Sequence, residues 1–361
     1  MHLENSPEIF KQDCDSIARE FPHLFKNIHQ KKILITGISG FFGSWVLGVL
    51  NSAIDFYSLE TEVYCLVRRN LDKNKKNFWL KEIHGDIQTF NFGLDFVSPL
   101  VGETDQMAAG YLGREGACFF DYVLHMAGNK SWEDIVGGTE NLIKNLNQSI
   151  APLPHVGEGM GERAAQGERR IPRVLFTSSG GVYGKKSRTD QPIPESLQPD
   201  LLGADWYSKA KITAENLLLD FKNNNKKFDL IIARCFAFYG YGQPLNQGFA
   251  VADMADSAQK NKIIKIKNIN TVRSFMHMGD LVRALFFLLL NPDQNISGPN
   301  SSIVYNIGGE RSEAILKTAE KISKIYPSEI LWANTPDNFQ PLNYYVPDVQ
   351  KLKALGFVER F

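Results

Sequence analysis

One stretch near the N-terminus constrains the fold more than any other part of the chain. An apolar run, KKILITG at 31–37, ends in glycine and is followed by ISGFFG and then by the apolar, helix-favouring SWVLGVLNSA. Glycine at positions 37, 40 and 43 allows a tight turn, a close approach of the backbone to a ligand, and close packing of the helix. Since a helix N-terminus presents free N–H groups and the positive end of its dipole, this strand, turn and helix predict a site for a nucleotide pyrophosphate.

Buried strands alternate with helices over the first 240 residues. Apolar runs at 62–69, 82–87, 121–128, 173–179 and 228–240 are interspersed with helical patterns around 134–149 and 205–224. Continuous apolar strands that alternate with helices predict a parallel sheet covered on both faces. The expected fold class is therefore α/β, a Rossmann doubly wound parallel sheet. Beyond about residue 240 the elements become shorter, which indicates a smaller α+β lobe.

Two segments stand outside this pattern. Apolar positions at helical spacing over 8–28 predict an N-terminal helical extension. Residues 151–172 combine Pro, Gly and charge without periodicity, which predicts a long surface loop, with a functional lid as the alternative. The expected organisation is an extension over 1–30, a Rossmann domain over 31–239 that carries the 151–172 insertion, and a mainly substrate-binding lobe over 240–361, partly interleaved with that domain.

Composition argues against several other classes of protein. The 361-residue chain has 40 Lys+Arg against 40 Asp+Glu and is 43% hydrophobic, so it lacks the positive charge of a nucleic-acid binder and the low apolar content of a disordered chain. The four cysteines and seven histidines have no metal-ligand spacing, so no metal site is expected, and Cys65 is predicted to be a core residue. With no signal-peptide pattern and no apolar run long enough to cross a membrane, we expect a cytoplasmic protein without a membrane partner.

The end of the second strand bears on the choice of dinucleotide. An acid there accepts hydrogen bonds from a ribose 2′-hydroxyl, whereas an arginine accommodates a 2′-phosphate. The sequence has Arg68 and Arg69 at this position and no acid. NADP(H) is therefore favoured over NAD(H); two solvated arginines, or one arginine stacked on the adenine, would leave NAD(H) open. Asp86, which ends the next strand, is placed to reach the adenine amino group.

Three residues further along the chain form a candidate catalytic group. Tyr207 and Lys211 are spaced i, i+4, so they project from one face of the helix predicted over 205–224. An ammonium beside a phenol favours the phenolate, so we expect the pKa of Tyr207 to fall from about 10 towards neutrality, where a general acid or base is useful. Ser179, at the end of a parallel strand, can hydrogen-bond the reacting oxygen.

With these motifs in this order, the chain resembles the extended short-chain dehydrogenase/reductases of the NAD-dependent epimerase/dehydratase family, most of which act on nucleotide sugars. The resemblance runs from about residue 30 to the C-terminus. It rests on TGISGFFG, HGDI, HMAG, GGTENL, LFTSSGGVYG, YSKAK, RCFAFYG, RSFMHMGD, YNIGG and YVPD. It implies an NAD(P)-dependent enzyme with a nucleotide-sugar substrate, and a homodimer formed through the helices around 134–149 and 205–224.

The resemblance also implies roles for individual residues. Tyr207 would be the acid or base, Ser179 its partner, and Lys211 would in addition hold the nicotinamide ribose. Arg273 would contact the substrate diphosphate, with a structural ion pair to Asp280 as the alternative. The substrate site would include Ser179, Gly180, Tyr207 and Arg273. The cofactor would contact Gly37, Ser39, Gly40, Phe41, Phe42, Gly43, Asp86, Ile87, Met126, Ala127 and Gly128.

Three departures from the family pattern concern the substrate. Sugar 4,6-dehydratases of this family follow the catalytic Ser or Thr with an acidic pair that serves water elimination, whereas this chain has Gly180 and Gly181. The Asn of the family's R-x-x-N-x-x-G is Ala237 here, and the Arg before the C-terminal Pro-Asp is Val346. We therefore expect intact cofactor chemistry with an altered substrate site.

These departures rank the possible functions. Because elimination of water without a nearby acid is difficult, an epimerase or a keto-sugar reductase is favoured, and selection of NADP(H) would favour the reductase. Three alternatives stay open. They are a 4,6-dehydratase with displaced acids such as Glu133, a non-catalytic nucleotide-binding protein of the same fold, and an enzyme for a non-nucleotide ketone or aldehyde.

Overall fold

The computed structural model describes residues 6–67, 80–84, 120–126, 131–150, 172–187, 190–225, 229–292, 303–332 and 343–361. The strands are β1 (Lys32–Thr36), β2 (Glu62–Val67), β3 (Leu80–His84), β4 (Tyr122–His125), β5 (Arg173–Ser179), β6 (Asp229–Cys235), β7 (Phe238–Tyr239), β8 (Ile263–Ile266), β9 (Thr271–Arg273), β10 (Met276–His277), β11 (Val304–Ile307), β12 (Glu313–Ala314), β13 (Glu329–Trp332) and β14 (Asn343–Tyr345). The helices are α1 (Pro7–Glu20), α2 (Pro22–Lys26), α3 (Phe41–Tyr57), α4 (Gly138–Ile150), α5 (Trp206–Asn224), α6 (Ala250–Asn261), α7 (Met278–Leu290), α8 (Ile315–Ile325) and α9 (Gln350–Ala354).

Seven of these strands form one sheet in the order β11-β6-β5-β4-β1-β2-β3. Every neighbouring pair in it is parallel. From β1 the chain builds outwards through β2 and β3, and from β4 it builds in the opposite direction through β5 and β6. The order therefore reverses between β1 and β4, and in sheets of this kind ligands bind at the carboxyl edge beside that point. The predicted doubly wound parallel sheet is confirmed.

Helices cover both faces of the sheet, as the apolar strands require. In β1, Ile33 and Ile35 pack into one core with α1, α2, α3 and α7, while Leu34 packs into a second core with α4 and α5. Cys65 is fully buried in the first core, as predicted. The alternation of side chains along one strand thus fills two cores at once.

The N-terminal helices are packed closely against the domain. A Cβ built on Gly48 would lie 2.6 Å from the Cys14 sulphur and 2.9 Å from the Phe10 ring, so α1 approaches α3 at a distance that only glycine permits. The Phe10 ring packs edge-on against Trp45, with ring centres 4.9 Å apart, and stacks on Tyr241 at 5.0 Å. The predicted helical extension is therefore part of the main hydrophobic core.

The second half of the chain contributes to the sheet domain as well as to a separate lobe. Helix α7 is buried along its whole length, and β11 pairs with β6 as an edge strand of the sheet. The smaller lobe has its own core, in which α6 and α8 pack with the β8–β13 pair. Among the described helices, none has both the length and the apolar character that a membrane crossing requires.

Candidate active site

The glycine turn joins β1 to α3 at the reversal point of the sheet. Gly37 has a φ of 76°, a backbone conformation that favours glycine. A Cβ on Gly43 would overlap the backbone of Ile38, so any side chain there would push the helix away from the turn. Helix α3 begins at Phe41, with Gly40 as its N-cap. It therefore starts three residues before the apolar run from which we predicted it.

The start of α3 fits a dinucleotide pyrophosphate. Ser39 and Gly40 are exposed, and no side chain caps the first turn of the helix, so its N–H groups face the carboxyl edge of the sheet without a side-chain acceptor. The rings of Phe41 and Phe42 pack against Phe238, with centres 6.0 and 4.9 Å away. Phe41 and Phe42 are also the first two residues of α3, so their backbone N–H groups have no acceptor within the helix and can donate to a phosphate.

The other predicted cofactor residues are only partly covered by the structure. Met126 follows β4, where its N–H donates to the Thr36 carbonyl at 3.2 Å and its side chain is half-buried against the core. The remaining predicted contacts lie outside the described residues; they are Arg68, Arg69, Asp86, Ile87, Ala127 and Gly128.

Strand β5 and helix α5 bring the three candidate catalytic residues to one end of the sheet. Ser179 ends β5, and α5 begins behind Asp205, whose Oδ1 accepts the Ser208 N–H at 2.7 Å. Tyr207 lies in the first turn of α5 and Lys211 in the next. The Lys211 ammonium donates to the Thr177 carbonyl at 2.8 Å and lies 5.8 Å from the centre of the Tyr207 ring.

The electrostatics of this pair differ from our expectation. Burial raises the pKa of Tyr207 to about 12, with Cys235 and Asp205 adding to the shift, and burial lowers the pKa of Lys211 to about 8. The prediction that Lys211 lowers the pKa of Tyr207 is therefore wrong for this structure. The ammonium is directed at a backbone carbonyl, and desolvation disfavours the charged form of both side chains. Tyr207 is accordingly a protonated phenol at neutral pH.

A buried polar network supports the site from below. Glu215, on α5, forms an ion pair with Arg234 of β6, with an NH2–Oε2 distance of 2.6 Å, and accepts the hydroxyl of Ser178. Arg234 also donates to the Tyr183 hydroxyl at 2.9 Å, which in turn donates to Asn306 at 2.8 Å. The network fixes α5 relative to β5, β6 and β11, and with them the backbone that carries the catalytic candidates.

A cavity of about 260 Å³ opens beside Ser179, and the sequence did not indicate one of its principal residues. Tyr345, from β14, lines this cavity and packs its ring on Phe236, with ring centres 4.6 Å apart. A Cβ on Gly180 would lie 2.6 Å from the Tyr345 hydroxyl oxygen, and one on Gly181 would overlap the Ser208 hydroxyl. An acidic pair at 180 and 181 would require these neighbours to move. The available signal was the second Tyr of NYYVPD, directly before Val346.

Arg273 lines the same cavity. Its guanidinium donates to the Asn343 carbonyl at 2.7 Å and to the Asn343 amide oxygen at 3.2 Å. Asp280 instead pairs with Arg283 and accepts the N–H groups of Arg360 and Phe361. The alternative of an Arg273–Asp280 ion pair is therefore wrong.

Two acids bear on the dehydratase alternative. Glu133 is exposed on a π-helical turn (Glu133–Gly137) before α4. Asp205 lines the cavity with Gly180 and Gly181, where one of its oxygens is engaged in capping α5. Among the described residues, no group of His, Cys, Asp and Glu is arranged to hold a metal ion.

Comparison with known proteins places the chain in a family of enzymes. A model of the NAD dependent epimerase/dehydratase family matches residues 33–308. The chain is 26% identical over 339 residues to a trifunctional UDP-glucose 4,6-dehydratase/UDP-4-keto-6-deoxy-D-glucose 3,5-epimerase/UDP-4-keto-L-rhamnose-reductase from Arabidopsis thaliana, covering 91% of this chain and 45% of the relative. It is 23% identical over 341 residues to an ADP-L-glycero-D-manno-heptose-6-epimerase from Brachyspira hyodysenteriae, covering 91% and 93%. The chain thus spans less than half the length of the Arabidopsis relatives that it matches.

The fold has counterparts among solved structures. A dTDP-glucose 4,6-dehydratase from Bacillus anthracis, solved in complex with NAD, superposes with a TM-score of 0.64 at 17% identity, covering 91% of both chains. At this identity the likeness concerns the fold alone.

Proposed function

Because the chain belongs to the NAD-dependent epimerase/dehydratase family, we propose that it is an NAD(P)-dependent nucleotide-sugar oxidoreductase or epimerase that works through Ser179, Tyr207 and Lys211. The observation that carries the proposal is the position of these side chains. All three lie near the carboxyl end of β5, where the neighbouring residues Gly180 and Ser208 line a cavity together with Arg273. A serine hydroxyl, a phenol and an ammonium next to a phosphate-binding turn are the groups that such chemistry needs.

Tyr207 moves the proton in this mechanism. As a phenol with a pKa of about 12, it is in the form that protonates a keto oxygen, while Ser179 donates a second hydrogen bond to the same oxygen. The nicotinamide, when bound, supplies or takes up the hydride at the sugar carbon. Lys211, whose ammonium donates to the Thr177 carbonyl, would hold the nicotinamide ribose. In the opposite direction Tyr207 must first release its own proton, and the phenolate then takes the proton of a sugar hydroxyl.

Reduction or epimerisation is favoured over dehydration. The Tyr345 hydroxyl and the Phe236 ring fill the space that a side chain at position 180 would need, so the usual acid of a dehydratase has no place there. A 4,6-dehydratase is the second candidate function, because the Asp205 carboxylate lines the same cavity. In that case Asp205 would have to serve elimination while it caps α5.

We propose NADP(H) as the preferred cofactor, on the basis of Arg68 and Arg69 in the sequence. NAD(H) is the alternative, and the B. anthracis structure contains NAD. Denaturing the purified protein and identifying the released dinucleotide by mass spectrometry distinguishes the two. Equilibrium dialysis with each dinucleotide covers the case in which none is retained. NAD found alone, or tighter binding of NAD than of NADP, would overturn the assignment.

The substrate class is tested by incubating the protein with UDP-, GDP-, CDP- and dTDP-hexoses and their 4-keto-6-deoxy derivatives. Each is offered with oxidised and reduced cofactors, and products are followed by NMR. We expect a 4-epimer from a hexose or an alcohol from a keto sugar. A 4-keto-6-deoxy product from a hexose would show the dehydratase instead, and no turnover of any nucleotide sugar would contradict the proposal.

We also propose a homodimer formed through α4 and α5, as the family resemblance implies. The two helices lie side by side on the same face of the sheet, where they share one hydrophobic core.

A further inference from the structure

We propose that Asn343 is a positioning residue, which holds the guanidinium of Arg273 so that its Nε–Nη2 edge binds a phosphoryl group of the substrate. The family resemblance implies only that Arg273 contacts a diphosphate. It does not indicate which edge of the guanidinium is available or what holds it, and none of the sequence motifs includes Asn343. The inference rests on the proposed function, because it concerns how the phosphate part of a nucleotide sugar is bound.

The pairing of β9 with β14 places Asn343 beside Arg273. The two strands run parallel, with Asn343 opposite Thr271 and Tyr345 opposite Arg273. Asn343 is the first residue of β14, and its N–H donates to the Asn270 carbonyl at 3.1 Å. The backbone of Asn343 is therefore fixed relative to the strand that carries Arg273.

The hydrogen bonds of the guanidinium leave one of its edges unused. Nη1 donates to the Val272 carbonyl at 2.9 Å and to the Asn343 carbonyl at 2.7 Å, and Nη2 donates to the Asn343 amide oxygen at 3.2 Å. A guanidinium has five N–H groups, two on each Nη and one on Nε. The Nε–H and the second Nη2–H of Arg273 have no acceptor among the described residues. These two groups lie side by side on one edge, where they can donate in parallel to two oxygens of a phosphate.

An aromatic ring supports the guanidinium on one side. The Arg273 guanidinium carbon lies 5.4 Å from the centre of the Tyr345 ring, within the range of a cation–π contact, and that ring packs on Phe236. Gly180 makes room for this arrangement, because a Cβ there would lie 2.6 Å from the Tyr345 hydroxyl oxygen and 2.7 Å from the Phe236 ring. Tyr345 thus limits how far the guanidinium can move, while Asn343 fixes its two Nη atoms.

Arg273 is the one cationic side chain among the described residues that line the cavity. At the position where the family has a second arginine, this chain has the buried Val346. Paired N–H donors make an arginine–phosphate contact both stronger and more specific in geometry. With a single arginine at the described wall, binding of the phosphate depends on presenting both donors of one edge together. Asn343 provides this orientation, because it occupies the opposite end of the guanidinium.

The orientation is tested first in the full chain without ligand. In protein that carries 15N-labelled arginine, the Arg273 resonances are assigned by their loss in Arg273→Lys, and NMR exchange gives the rate of rotation about the Nε–Cζ bond. Asn343→Leu removes the acceptor oxygen at similar size, so we expect about fivefold faster rotation, as the loss of one hydrogen bond permits. Asn343→Asp, which keeps an acceptor oxygen, should rotate no faster than the wild type.

The control for this experiment is Tyr344→Phe, which alters the neighbouring residue of the same cavity wall. It should leave the rotation of Arg273 unchanged. Equal rates in the wild type and Asn343→Leu would overturn the inference. Faster rotation in Asn343→Asp than in the wild type would also overturn it, because the acceptor oxygen would then have no part in holding the guanidinium.

Titration with inorganic diphosphate tests what the free edge binds. We expect the Arg273 Nε–H proton resonance to move downfield and saturate in the wild type, and the affinity to fall about fivefold in Asn343→Leu. Sodium chloride at the same ionic strength should not reproduce the shift. Since the signal belongs to Arg273, it reports on this edge and not on diphosphate bound at the glycine turn. No response of Arg273, or equal affinity in the two proteins, would overturn the inference.

This probe has neither base nor sugar, so its result is independent of the proposed reaction. A response at Arg273 without turnover of any nucleotide sugar would refute the proposed function and leave the phosphate site supported. With a nucleotide sugar that is turned over, Asn343→Leu should raise KM about fivefold and leave kcat unchanged, because the phosphate is bound equally in the ground state and the transition state. A lower kcat at unchanged KM would overturn the inference.

Discussion

Lys211 carries a charge on a side chain that is almost completely buried. The residue is 2% exposed, and its ammonium lies 4.7 Å from the centre of the Phe176 ring and donates to a backbone carbonyl. Burial lowers its pKa to about 8, whereas an unfolded chain keeps a lysine near 10.4. Between these values the unfolded state binds more protons than the folded state. This residue therefore makes the protein more stable as the pH rises through that range.

Lys211→Met should reveal this contribution. We expect the free energy of unfolding of the wild type, relative to the variant, to rise by about 2 kcal/mol between pH 7.5 and 10. Urea titrations of both proteins at the two pH values measure it. The variant should still fold at neutral pH but should lose turnover. A pH-independent difference, or one that falls as the pH rises, would show that Lys211 is not desolvated as described.

Residue spacing in the sequence predicts the position of a side chain on a helix but not its pKa. The spacing of Tyr207 and Lys211 correctly predicted that they lie in successive turns of one helix. It could not predict their pKa values, because those depend on burial and on where the ammonium is directed. The place of Tyr345 beside Gly180 could not be predicted either, since the two residues are more than 160 positions apart in the chain. Only tertiary structure joins such positions.

Among the elements, the turn before α3 makes the strictest demand on side-chain size. A Cβ on Gly43 would overlap the Ile38 backbone, whereas a Cβ on Gly40 would lie 3.4 Å from the Gly37 carbonyl oxygen, an ordinary contact. Gly40 has a φ of −82°, which any residue adopts. Gly43 therefore allows the helix to pack closely against the turn, whereas Gly40 leaves the start of the helix free of a side chain.

Gly43→Ala and Gly40→Ala separate these purposes. We expect Gly43→Ala to lower the free energy of unfolding by about 3 kcal/mol, because helix α3 must shift away from the turn. Gly40→Ala should change stability little and weaken dinucleotide binding. Thermal unfolding and calorimetric titration with NADP give the two quantities. Equal stability of both variants would contradict the packing described for Gly43.

The Glu215–Arg234 ion pair joins helix α5 to the sheet. Both side chains are buried, so removing one charge leaves the other without compensation. Glu215→Gln should therefore lower the free energy of unfolding by about 3 to 5 kcal/mol, as measured in urea. Asp220→Asn, on an exposed position of the same helix, is the control and should change it little. A Glu215→Gln protein as stable as the control would refute the structural role of the network.

The strands of the central sheet were easier to predict than the short strands of the smaller lobe. The run RVLFTSS coincides with β5, and the neighbouring parallel strands begin and end within a few residues of the apolar runs, because a strand buried on both faces leaves a continuous apolar signal. The strands of the smaller lobe span two to four residues, too short for such a signal. Consequently β14, which positions Tyr345, was not predicted.

At the scale of the whole molecule, helix α1 and the last two residues of the chain contact the same helix, α7. Glu20 of α1 forms ion pairs with Arg283 of α7 and with Arg360. The Asp280 side chain in turn accepts the N–H groups of Arg360 and Phe361. The first and last segments therefore stabilise the same helix, α7, which packs on the central sheet. The formal net charge of zero gives no sign of these ion pairs, because the paired residues lie far apart in the sequence and meet only in the fold.

The proposed homodimer is a property of the same scale. We expect light scattering after size exclusion to give twice the 40.7 kDa mass of the chain. Asn216→Arg, on the exposed side of α5, should shift the protein towards the monomer, because it would place like charges at the interface. Gln259→Arg, exposed on α6 in the smaller lobe, is the control. A monomeric wild type at tens of micromolar would contradict the dimer.

The central claim is that Ser179, Tyr207 and Lys211 carry out hydride and proton transfer at a carbon of a nucleotide sugar. The most direct test uses NADPH deuterated at the transferred position, with UDP-4-keto-6-deoxy-D-glucose, and compares wild type with Tyr207→Phe by NMR. We predict that deuterium appears at C4 of the product in the wild type. The variant should still bind NADPH but transfer deuterium at least about 100-fold more slowly, the usual contribution of a general acid. Equal transfer in both proteins would contradict the claim.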